Sequence, residues 1–137
     1  MSLFTVFDTA ASGLLAQQVR LNTTASNLAN ADSVASSPQA AYRAREPVFA
    51  ALANPHSPSG AALGVRVAVI TESPVPVGVR HEPGNPLADA QGNVYTPNVN
   101  PVDELVNMIS ASRSYQNDVE VMNTAKLLLQ KTLSLGT

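Results

Sequence analysis

Cysteine and tryptophan are absent from the 137-residue chain, aromatics make up 4% of it, and charged residues only 13%. Each shortage excludes something. Without cysteine there is no disulfide, no thiol nucleophile and no thiolate metal site. The few charges nearly balance, with 8 Lys+Arg against 10 Asp+Glu and a formal net charge of −2. That argues against nucleic acid or a strongly anionic membrane as the main partner. No run reaches the ~18 apolar residues of a membrane-spanning helix. The opening MSLFTVFDTAAS lacks the basic stretch and unbroken apolar core of a cleaved signal peptide. No glycine-rich phosphate loop occurs anywhere. His56 and His81 stand far apart in proline-rich loops with no carboxylate at metal-ligand spacing, and read as surface residues. Arg43 and Arg45 beside Tyr42 make only a small basic patch, read as a strand edge. No catalytic, cofactor-binding or metal-binding residue and no small-molecule substrate is indicated, so the chain reads as non-enzymatic. A surface this poor in charge is expected to be covered in the working state, by copies of the chain or by other chains.

The C-terminal stretch from Asn100 to Thr137 is a long helix in waiting. Asn100 suits the N-cap, Pro101 the first helical position, and Asp103 and Glu104 the first turn. Apolar positions then recur in threes and fours at Leu105, Met108/Ile109, Tyr115, Val119, Met122, Leu129 and Leu133, with Gly136 as the stop. Residues 2 to 30 form the matching N-terminal helix, with Ser2 or Thr5 as cap. Its seam runs through Phe4, Phe7, Ala11, Leu14, Gln18, Leu21, Ala25 and Leu28. Its polar face is Gln17, Asn22, Thr23, Ser26, Asn27 and Asn30, mostly weak helix formers, and its only charges are Asp8 and Arg20. Gly13 costs propensity but admits a close neighbour. Such a helix is conditional: marginal alone, stable when packed along a seam.

The middle is compositionally different. All 10 prolines fall between Pro38 and Pro101, and 5 of the 7 glycines between Gly60 and Gly92. Residues 31 to 45 read as a small-polar arm. Within the insert 46–99, Pro47 to Ala53 reads as a short strand, Asn54 to Ala62 as a loop, and Leu63 to Glu72 as a strand with Val65, Val67 and Val69 on one face. Val75, Val77 and Val79 alternate with Pro76, Gly78 and Arg80 as an edge strand. His81 to Gly92 is expected to be loop, and Asn93 to Tyr95 a last short strand. The expected fold is therefore α+β. Long terminal helices (1–30 and 100–137) pair as an antiparallel, coiled-coil-like hairpin, with a small β-rich insert between them.

These residues carry a resemblance. Ser12, Gly13 and Leu14, followed by Asn27, Leu28, Ala29 and Asn30, resemble the N-terminal signature of flagellar rod and hook proteins. The stretch from Gly92 to Gly136, beginning GNVYTPNVNPVDELV, resembles the C-terminal signature of the proximal rod members, as do the GVRVAVI and HEPGNPLAD segments. His81-Glu82-Pro83 and Asn93 depart from that pattern, as does the alanine- and serine-rich arm Ala31 to Ala41. The resemblance implies a structural subunit of the basal body, in the periplasm-spanning rod that carries torque to hook and filament. It also implies export through the flagellar type III apparatus without N-terminal cleavage. The implied partners are copies of the chain, other proximal and distal rod proteins, and the MS-ring/export-gate junction. The assembly interface is then expected at Phe7, Leu14, Leu21, Asn27, Leu28, Asn30, Leu105, Ile109, Tyr115, Val119, Met122, Leu129 and Leu133. The alternative is a secreted coiled-coil adaptor or needle-type subunit. Needle subunits have little beyond a helical hairpin, which the proline-rich insert argues against.

Overall fold

In the computed structural model, which describes residues 3–53 and 62–135, two long helices flank two small antiparallel ribbons. Helix α1 spans Leu3–Asn30 and helix α2 Pro101–Leu135; strands β1 to β4 span Arg45–Ala53, Ala62–Glu72, Gly78–His81 and Asn93–Thr96. The expected α+β hairpin with a β insert is what the chain forms. With 28 and 35 residues, the helices are about 42 and 52 Å long. Asn100 caps α2 as anticipated: its Oδ1 accepts the Val102 N–H at 3.0 Å. Thr5 lies inside α1 and is not its cap. The candidate cap Ser2, the stop at Gly136, His56 and the loop over residues 54–61 lie outside the described residues.

Ribbon β1–β2 pairs Arg45 with Glu72 at one end and Ala53 with Ala62 at the other. Its register slips where Val48 faces Val69 but Phe49 faces Val67, leaving Ala68 as the extra residue of a β-bulge. The bulge inverts the alternation read from the sequence. Val65 and Val67 line the α1 side with Leu15, Ala16 and Val19, whereas beyond the bulge Ile70 borders that side and Val69 does not, both remaining exposed. The third strand is also shorter than expected. It starts at Gly78, because Pro74 and Pro76 have no N–H for a ladder, and it reaches His81, expected in a loop but paired with Asn93.

The interior is the unusual part. Among the described residues the buried apolar ones are Ala10, Ala16, Ala41, Ala44, Val94, Pro97, Ala111 and Ala125, so only Val94 and Pro97 are larger than alanine. The accessible surface is 8917 Å². A compact protein of this mass exposes about 6,800 Å².

Polar clamps replace the missing apolar core. Asn27, 1% exposed, uses its whole carboxamide. Its Oδ1 accepts from the Arg45 N–H and the Tyr42 hydroxyl, both at 2.9 Å; its Nδ2 donates to the Arg45 carbonyl at 2.9 Å and also bonds Glu104. One side chain thus joins α1, the arm, β1 and α2. Asn98 does similar work nearby, accepting from Ala44 N–H at 2.7 Å and donating to the Val75 carbonyl at 2.6 Å. The arm is pinned too, by paired backbone bonds between Ala35 and Tyr95 at 2.9 and 3.0 Å. Replacing Asn27 with Ala strands the Arg45 backbone groups and is expected to cost about 2–3 kcal/mol. Urea unfolding of Asn27→Ala beside Asn22→Ala, an exposed control on the same helix, measures it.

Candidate assembly surfaces

The helices meet along a stripe the hydrophobic pattern does not mark. On α1 it runs through Val6, Ala10, Gly13, Gln17, Arg20, Thr24 and Asn27, again in alternating fours and threes. On α2 it runs through Glu104, Ala111, Asp118 and Ala125, seven residues apart. Arg20 donates to Asn107 Oδ1 at 3.3 Å, and Asn27 meets Glu104. Gly13 lies so close to Asp118 that a Cβ there would sit 2.7 Å from the carboxylate. Small residues bring the axes together, and polar ones fill the gap. The expected α1 stripe of Phe7, Leu14, Leu21 and Leu28 is one residue further on, about 100° round the helix. This corrects the seam inferred from hydrophobicity for the intrachain pairing.

The third face of α1 holds the insert. Ser12 Oγ accepts from Val65 N–H at 3.0 Å, and Thr9 Oγ1 donates to the Leu63 carbonyl at 2.8 Å. With one face on α2 and one on the ribbon, the stripe through Phe7, Leu14 and Leu21 remains, its members half-buried. Helix α2 is barer still. Val102, Leu105, Val106 and Ile109 share its outer side, with Ile109 55% and Val102 66% exposed. Tyr115, Leu127, Leu128 and Leu133 are exposed; Val119, Met122 and Leu129 are half-buried. From the Asn27–Glu104 contact α2 runs on to Leu135 while α1 runs back only to Leu3. The last two turns of α2 therefore overhang the hairpin.

Thus, of the residues expected at an interface, Leu105, Ile109, Tyr115 and Leu133 are open to solvent. Asn27 is committed within the chain, and Asn30 donates to the Ser26 carbonyl at 2.8 Å, closing its own helix end. Glu104, read as a helix-start residue, is 8% exposed in the seam, and burial raises its pKa above the ordinary carboxylate value. Burial raises Asp118 likewise. In the insert the sign reverses. Asp89 is held low by the backbone N–H groups of Asn93 and Gln91 and by the Tyr95 hydroxyl, closing the turn before β4. Glu82 is held low by Asn85 first and by Arg80, 2.6 Å away. Among the described residues no group of three His, Cys, Asp or Glu gathers as metal ligands, and no helix is long and apolar enough to cross a membrane. Sequence reasoning missed Glu104, Asp118 and Asn98. The seven-residue spacing of Glu104, Ala111, Asp118 and Ala125 was the available signal for the first two.

A bare apolar helix face beside a polar intrachain seam is the pattern of a chain with surface left for neighbours. Comparison with known proteins places it. The family described as flagella basal body rod protein matches residues 7–35. The C-terminal family of flagellar basal body rod FlgEFG proteins matches residues 90–135. Flagellar basal-body rod protein FlgC of Yersinia enterocolitica is 54% identical over 136 residues, covering 99% of each chain. FlgC of Salmonella typhimurium is 53% identical with the same coverage, and that of Aquifex aeolicus 40% identical over 96% of each chain. The chain belongs to the FlgC family of flagellar basal-body rod proteins. It is a structural axial subunit of the flagellar basal-body rod.

Gly13→Val puts bulk where the helices touch and is expected to destabilise the chain by about 1–3 kcal/mol in chemical denaturation. Gly84→Val, which meets nothing within 4 Å, is expected to change little.

Proposed function

We propose that this chain is a proximal rod subunit, and that its exposed helix faces are the surfaces through which the rod transmits torque. The observation that carries this reading is the mismatch between interior and surface. Among the described residues an apolar interior of alanines, one valine and one proline accompanies a surface roughly 2,000 Å² larger than a compact chain's. One partner in a standard protein–protein interface covers about 800 Å², so the excess amounts to two or three neighbours. Copies of the chain, other proximal and distal rod proteins, and the MS-ring/export-gate junction are the partners this position requires. The subunit reaches the periplasm-spanning rod through the flagellar type III export apparatus. A weakly helical N-terminal segment with a polar seam suits that passage, since it folds fully only among neighbours. Torque is then a packing problem, with shear spread over many side-chain contacts along two helices.

Ile109→Asp tests the reading, because Ile109 lies on the outer side of α2 and is 55% exposed. The purified variant is expected to keep the wild-type circular dichroism spectrum and melting temperature, while swimming and the yield of isolated rods are lost. Normal motility and rod yield would refute the assignment of that face to assembly. Leu133→Asp, on the overhang, is expected to behave the same way.

A further inference from the structure

Two carboxylates sit in the α1–α2 seam without a salt bridge among the described residues. Glu104 is 8% exposed and its one hydrogen-bond partner there is the amide of Asn27. Asp118 is half-buried against Gly13, in a pocket otherwise lined by Val6, Thr9, Ala10 and Val121. Among the described residues it has no hydrogen bond or ion pair, the two salt bridges being Arg45–Glu72 and Arg80–Glu82. One turn along the α1 stripe, Gln17 Oε1 is buried with no donor.

The charged groups around these sites do not rescue them. Facing Glu104 are Arg20 from α1 and Arg45 and Glu46 from β1, with Asp103 beside it on α2. Arg20 is engaged with Asn107 at 3.3 Å and Arg45 with Glu72 at 3.8 Å, while Glu46 and Asp103 add like charge. Nothing titratable faces Asp118 from α1. An ionised carboxylate taken from water without a partner is costly, and a proton removes the cost.

We propose that closure of the α1–α2 hairpin takes up protons at Glu104 and Asp118, making the seam a pH-sensitive latch that is tight in mild acid and loose at neutral pH. The device goes beyond the rod assignment and does not rest on it, since it belongs to the single chain. Its sign follows from linkage. A carboxyl whose folded-state pKa is raised stabilises the fold fully below its unfolded value, and that stability is lost as pH rises through the folded value. Asp89 and Glu82 act oppositely, but their stabilisation is lost only as pH falls below the ordinary carboxylate range near ~4. Among the carboxyls, the sign of the pH dependence above that range is therefore that of Glu104 and Asp118.

The test is thermal unfolding of the dilute full-length chain by circular dichroism at about pH 5 and about pH 7.5. Wild type is expected to melt higher at the acid value, by about 3 °C or more. The double variant Glu104→Gln/Asp118→Asn is expected to melt at neutral pH where wild type melts in acid, with the difference between the two conditions gone. A wild type that melts equally or lower in acid overturns the proposal, as does a double variant that keeps the wild-type response. If the double variant does not fold, carbon-detected NMR titration of the wild-type carboxyls decides instead. Midpoints for Glu104 and Asp118 above those of model-peptide carboxylates support the latch; midpoints at or below them end it.

Discussion

The structure depends on how closely two helices approach when the residues between them are small or polar. Ala10, Gly13, Ala111 and Ala125 let α1 and α2 come together, and Asn27, Arg20, Asn107 and Glu104 bond across the gap. A seam of this kind yields little hydrophobic stabilisation, which scales with apolar area removed from water. It does fix the geometry, because each polar contact has one arrangement that satisfies it. The large apolar residues are thereby left on the outside of the hairpin.

The insert follows the same logic on a smaller scale. Two two-stranded ribbons cannot stand alone in water. Each is tied down by polar side chains at its ends: Ser12 and Thr9 bind β2 to α1, Asn27 binds the start of β1, and Asn98 links the turn after β2 to the arm. The bulge at Ala68 turns Ile70 toward α1 and Val69 away from it. A knob built this way keeps its place on the hairpin without a core of its own.

Much of this was legible in the sequence. The break between low-charge helical ends and a proline-rich middle gave the order of elements, and the turn residues placed β2 and β4 within a residue or two. The resemblance in Ser12–Leu14, Asn27–Asn30 and Gly92–Gly136 led to the right family. The intrachain seam was not legible by hydrophobicity, because two helices that pair through alanine, glycine and amides hide their contact face among residues of little hydropathy. Both α1 stripes repeat in threes and fours, and the more apolar one drew the inference. Burial of Glu104 was masked by a sufficient local reason for an acid in a first turn. The bulge was invisible because Ala68 is consistent with either face.

Hydrogen–deuterium exchange of the dilute full-length chain, compared with the same chain in isolated rods, tests the central claim most directly. If the apolar faces are held for neighbours, amides along α2 exchange readily in the dilute chain at neutral pH. In the rod they become strongly protected, most of all around Val102–Ile109 and in the overhanging last turns. Equal protection of α2 in both states would contradict the account, because the hairpin would then need no neighbours to hold it.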